Sequence, residues 1–180
     1  VLFGFLPFVL FAVCDHYVPT AAALLLATVS SALLLLRDRR RGKTLKLLDV
    51  GALIVFGGLS LYSELASVTW SVLGVRLCVD FGLFLVVVIS IAIGQPFTLQ
   101  YAREQAPPEV WSKPEFLRVN VRISSVWALA FGVMLLSDLS MLHGAPVALG
   151  GAGSVLALTL AAIYTVKVVR ERQRLHAAPR

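Results

Sequence analysis

Long apolar runs broken by short polar clusters dominate this chain. Six runs stand out: 1–14, 20–36, 47–62, 71–94, roughly 123–142 and roughly 147–169. A hydrocarbon core of about 30 Å takes about 20 helical residues to cross. Backbone groups in lipid find no water, so a spanning segment must satisfy its own N–H and C=O groups. The run "LLLATVSSALLLL" does not alternate polar and apolar positions, as a barrel strand would. The pattern therefore predicts an all-α, polytopic membrane bundle of about six helices in one domain over 1–180. The expected helices are 1–14, 20–36, 47–62, 71–94, 113–142 and 147–170. The first is short and holds Pro7, so it spans only with upstream residues or as part of a shallow hairpin.

Composition agrees. The 180 residues are 58% hydrophobic and 14% charged, with mean hydropathy +0.86. A soluble domain averages about 45–50% apolar and about 25% charged residues. The net charge of +6 is explained by position rather than by nucleic acid. Fifteen of the sixteen Lys and Arg residues fall in 37–46, 95–122 and 167–180, the segments that follow the second, fourth and sixth runs. The opposite connections, "DHYVP", "SELASVTW" and "SDLSMLHGAP", carry none. The positive-inside rule then places the basic side, and with it both termini, in the cytoplasm. Arg37, Arg39, Arg40, Arg41 and Lys43 also form a candidate contact for anionic lipid.

The stretch "QPFTLQYAREQAPPEVW" (95–111) interrupts the grease. "PFTLQYAREQ" reads as a short helix in the headgroup layer, with Phe97 and Tyr101 as aromatic anchors and Arg103 on its polar side. Pro107 and Pro108 end it. Ser112 and Glu115 have the spacing of a capping box, and Trp111 and Phe116 that of a hydrophobic staple. A new helix should thus start at Lys113, with Arg118, Asn120 and Arg122 wet. This elbow is either a connection or a surface where a protein partner or lipid headgroup docks, through Phe97, Tyr101, Arg103, Trp111, Lys113, Arg118, Asn120 and Arg122.

Arg76 is the one basic residue away from the basic segments, and Asp80 follows one helical turn later. Charge inside a membrane segment is paired or functional. The pair is either an ion pair at the outer interface or a polar intramembrane site, with Glu64 or Asp138 as further members. Cys14 and Cys78 read as buried small hydrophobes. His16, His143 and His176 are isolated, and no metal, haem, nucleophile-elbow or phosphate-loop pattern is present. No enzyme activity and no cofactor are expected. The small residues Gly57, Gly58, Ser90, Gly94, Ala128 and Gly132 are spaced for close helix packing.

With these residues in view, the chain resembles the bacterial intracellular septation protein A family. The resemblance rests on "FLPFVLFAVCDHYVPTAAALLLATV", then "VFGGLSLY", then "VWSK" ahead of Asn120 and "SVWALAFG", in that order. It implies a non-enzymatic inner-membrane protein supporting envelope synthesis or septation, with division-machinery or lipid partners. The alternatives are a small transporter or lipid-handling protein working at Arg76 and Asp80, and an accessory subunit of a larger membrane complex.

Overall fold

The computed structural model describes residues 2–66 and 70–177, with side chains described over 4–66 and 70–172. Val1 and the basic tail residue Arg180 lie outside them, as do the side chains of Arg174 and His176. The described residues form helices and connections, with no strand. A 3-10 turn, Leu2–Phe5, leads into α1 (Leu6–Cys14). Then come α2 (Thr20–Arg40), α3 (Leu47–Ala66), α4 (Val72–Ala92) and the short α5 (Phe97–Arg103). A second 3-10 turn, Pro108–Val110, precedes α6 (Pro114–Leu142) and α7 (Val147–Ala177).

Five helices, α2, α3, α4, α6 and α7, are long and apolar enough to cross a membrane. The chain is a multi-pass membrane protein on that evidence. The expected sixth span is not among them: α1 has nine residues, about 14 Å of helix. One face of it packs against the bundle, with Phe11 and Phe8 against Phe56 of α3 at ring-centroid distances of 5.5 and 5.1 Å, while Leu6, Val9 and Val13 stay exposed.

Local chemistry sets the helix ends. Pro19 and Pro96 precede α2 and α5, and Pro114 opens α6, where its missing N–H costs nothing. Ser71 caps α4 by accepting from the Gly74 N–H at 3.1 Å. Three helices stop alike. Gly42, Gly94 and Gly144 take positive φ, and the residue after each donates back to Asp38, Ser90 or Ser140 at 2.9 Å. That closes the orphan carbonyls of α2, α4 and α6 in a Schellman turn.

The expected capping box does not form. Lys113 occupies the N-cap of α6 with no side-chain cap bond. Trp111 turns away from the staple position: its indole N–H donates to the Ala106 carbonyl at 3.0 Å, and Arg103 lies 5.8 Å over its ring. Two local partners in the preceding loop outcompete the cap geometry.

The tightest contact between α3 and α4 is not at the predicted Gly57 and Gly58. A Cβ on Gly57 would meet only Thr28 at 3.6 Å, and one on Gly58 would meet nothing. Gly51 of α3 receives Val86 of α4, and Gly82 of α4 receives Val55 of α3. Each helix thus carries a notch and, one turn away, the knob that fills the other's notch. Such mutual approach raises van der Waals contact where lipid offers no hydrophobic drive. A methyl placed in either notch overpacks it, at about 1–3 kcal/mol. Gly51→Ala and Gly82→Ala should each lower the melting temperature in detergent, whereas Gly58→Ala should leave it unchanged or raise it. Equal behaviour of the three variants would contradict this packing.

Candidate functional site

Two charged clusters sit at opposite ends of the bundle. At the basic end, the turn between α2 and α3 folds over α5. Lys46 is 5% exposed. Its Nζ lies 2.6 Å from Asp38 Oδ2, 3.3 Å from Glu104 Oε1, and 5.2 Å above the Tyr101 ring. Arg37 approaches the other Asp38 oxygen at 3.2 Å, and Lys43 approaches Glu104 at 3.5 Å. Burial opposes the Lys46 ammonium, but the Asp38 hydrogen bond and the Glu104 and Asp38 charges outweigh it, holding its pKa above an ordinary lysine's. Burial pushes the Tyr101 phenol up, and the nearby carboxylates Asp49, Glu104 and Asp38 push it further. Tyr101 is therefore a neutral ring beneath a charged Lys46.

α5 is fastened on every side. The Phe97 N–H donates to Ser90 Oγ at 3.1 Å. Thr98 Oγ1 donates to the Asn120 carbonyl at 3.0 Å and lies 2.9 Å from Ser124 Oγ. Gln100 Oε1 accepts the Leu47 N–H at 2.7 Å, capping α3 from 53 residues away. This corrects the reading of Phe97 and Tyr101 as surface anchors. Phe97 and Tyr101 do share a face, but that face turns inward, leaving them 0% and 4% exposed. Phe97 meets Phe5 edge-on at 6.4 Å, and the Tyr101 hydroxyl fills the space beside Gly4. They are core residues, not surface anchors. Asn120 is also buried, its amide donating to the Phe116 carbonyl at 2.8 Å. Arg103, Trp111, Lys113, Arg118 and Arg122 remain exposed, as do Arg39, Arg40, Arg41 and Lys43; Arg37 is half-buried.

At the other end, α4, α6 and α7 bring Arg76, Asp80, Asp138 and Ser154 together. Asp138 is 0% exposed, Asp80 7% and Ser154 4%. Arg76 Nε lies 2.9 Å from Asp138 Oδ1, and its Nη2 donates to Ser154 Oγ at 3.4 Å. Arg76 thus pairs across helices with Asp138 rather than along α4 with Asp80. Asp80 lies one turn of α4 beyond Arg76 and is likewise buried. Asp138 Oδ2 and Asp80 Oδ2 are buried without a hydrogen-bond partner. Asp80 is the ninth residue of α4, about 12 Å along it from its start. Glu64, the other suggested member, is exposed.

Asp138 and Ser154 carry more of this site than the sequence indicates. Asp138 reads as part of an outer connection, "SDLSMLHGAP", yet it lies inside α6, which runs on to Leu142. An acid within "MLLSDLSML" is the available signal. Asp49, 3% exposed with a buried unpartnered oxygen, is flagged the same way by "LLDVGALI". Asp38, an acid inside "RDRRR", marks the basic-end cluster.

No protein-family model matches the chain, and neither a curated protein nor a solved structure matches it significantly.

Removing one partner from a buried ion pair leaves the other charge uncompensated, at about 3–5 kcal/mol. Lys46→Met leaves Asp38 to Arg37 and Glu104 to Lys43 and removes the link between them, so its detergent melting temperature should fall. Arg40→Gln, on the exposed face of the same segment, should melt like the wild type. A Lys46→Met protein as stable as wild type would show that the cluster does not fasten the turn to α5.

Proposed function

We propose that this chain is a non-enzymatic membrane protein that carries protons, alone or with a solute, through the Asp80–Asp138 pair. One observation carries the reading: two buried carboxylates in the spanning part of the bundle face a single guanidinium. With both acids ionised, one negative charge would be left in a medium where an unmatched ion costs several kcal/mol. Two buried carboxylates around one guanidinium relieve this by taking up one proton between them. Metal cations such as calcium usually take six or more oxygen ligands. The proton needs only the pair. Arg76, with a side chain 35% exposed, is the group that links the pair to the outside. Its hold on Asp138 offers a second arrangement in which Asp80 takes the proton alone, the kind of alternation a carrier requires.

A second reading rests on the resemblance to the septation protein A family and on the exposed Trp111 and Arg39–Arg41. In it the protein supports envelope synthesis or septation by holding a membrane-protein partner on its basic face. The inward turn of Phe97 and Tyr101 takes two anchors from that surface, so the carrier reading is preferred. Loss of a co-purifying membrane protein on Trp111→Ala would favour the partner reading.

The carrier reading is tested in vesicles holding the purified protein and a trapped pH-sensitive dye. A membrane potential should drive proton entry above that of empty vesicles. Asp80→Asn and Asp138→Asn should each reduce it to the empty-vesicle rate while melting as cooperatively as the wild type. Wild-type flux no greater than that of empty vesicles, or variants that conduct normally, would defeat it.

A further inference from the structure

A cavity of about 360 Å³ opens at the basic end, distinct from both charged clusters. Its walls come from the end of α5 and the loop after it, the Pro108–Val110 turn, the first turns of α6 and the last part of α7. Ala106, Val110, Val119, Ile123 and Val168 make it apolar within. Lys113 and Arg172 stand in its lining with Glu115, which Arg172 approaches at 3.8 Å. The local balance is therefore two positive charges to one negative. On the flanking segments the exposed Arg103, Arg118 and Arg122 are matched by the exposed Glu104, Glu109 and Glu171, so the cationic character comes from Lys113 and Arg172 in the lining.

Size and chemistry select the occupant. The volume holds about a dozen water-sized groups. A helix about 10 Å across would fit for less than one turn, so a peptide helix is too large. A greasy pocket with a cationic rim, at the level where α6 leaves the apolar zone, matches an amphiphile with an anionic head. Lysine and arginine bind phosphate oxygens through charge-assisted hydrogen bonds. We propose that this cavity binds one anionic phospholipid, its phosphate between Lys113 and Arg172 and the upper part of an acyl chain against Val110, Val119, Ile123 and Val168. The site sits beside α5, so a bound lipid would brace the helix that the Lys46 cluster holds from the other side.

The test is native mass spectrometry of the detergent-solubilised protein titrated with phosphatidylglycerol or phosphatidylcholine. The wild type should retain one phosphatidylglycerol in preference to phosphatidylcholine. Lys113→Gln and Arg172→Gln should each weaken that retention on the order of tenfold, about 1.4 kcal/mol. Ala106→Trp, which fills the cavity without altering charge, should weaken it similarly. Each variant is first shown to melt like the wild type, and Val119→Phe replaces Ala106→Trp if the larger residue unfolds the elbow. Equal retention of the two lipids would overturn the proposal, as would unchanged retention in these variants. So would loss of retention only when Arg39, Arg40 and Arg41 are changed to Gln, which would place the lipid on the basic turn. Displacement by free glycerol phosphate at matched concentration would also overturn it, because a headgroup alone would then suffice.

Discussion

Lys46 reaches Asp38 at 2.6 Å and Glu104 at 3.3 Å while almost wholly removed from water. The architecture of the basic end follows from that contact. A buried ammonium is tolerable only with carboxylates around it, and those carboxylates come from α2 and from the end of α5. Satisfying Lys46 therefore requires the α2–α3 turn and α5 to meet. Once they meet, Gln100 can cap α3, Phe97 can enter the aromatic core, and the first turns of α6 are fixed by Thr98. The cavity beside α5 exists because α5 is held there.

The same electrostatic constraint gives a different result at the other end. There too a single cation faces more than one carboxylate. Around Lys46 the surplus acids are partly compensated by Lys43 and Arg37, and Glu104 keeps some contact with solvent. Around Arg76 no second cation appears among the described residues, and Asp80 and Asp138 are both buried. The basic-end cluster can thus serve as a fixed fastening. In the carrier reading the surplus acid of the Asp80–Asp138 pair is neutralised by a proton, and the residues around it lie on three separate helices. A small relative movement of α4, α6 and α7 would change which acid Arg76 neutralises.

Membrane character, the all-helical architecture and most helix positions were legible in the sequence because lipid imposes length and apolarity directly. Arg76 and Asp80 were legible because charge in an apolar run is conspicuous. The end of α6 at Leu142 matches the expected 113–142 helix, but Asp138 was grouped with the outer connection "SDLSMLHGAP", so its place inside the bundle was not read. The role of α5 was read in reverse. The four-residue spacing of Phe97 and Tyr101 gives their shared face, but spacing alone cannot say whether that face meets lipid or the bundle. The deciding partners, Phe5, Ser90 and Ser124, are remote in sequence. The Gly51–Val86 and Gly82–Val55 notches were missed for a related reason. A glycine and a valine one turn apart mean little until the opposing helix shows the complementary pair.

The most direct test of a shared proton is the infrared spectrum of the protein with isotopically labelled aspartate, recorded in membranes at neutral pH. The account predicts a protonated-carboxyl C=O band in the wild type that disappears in both Asp80→Asn and Asp138→Asn. Disappearance in both follows because either change leaves one carboxylate paired with Arg76 and no acid with which to share a proton. A wild-type spectrum showing only ionised aspartates, or a carboxyl band untouched by both substitutions, would contradict the account.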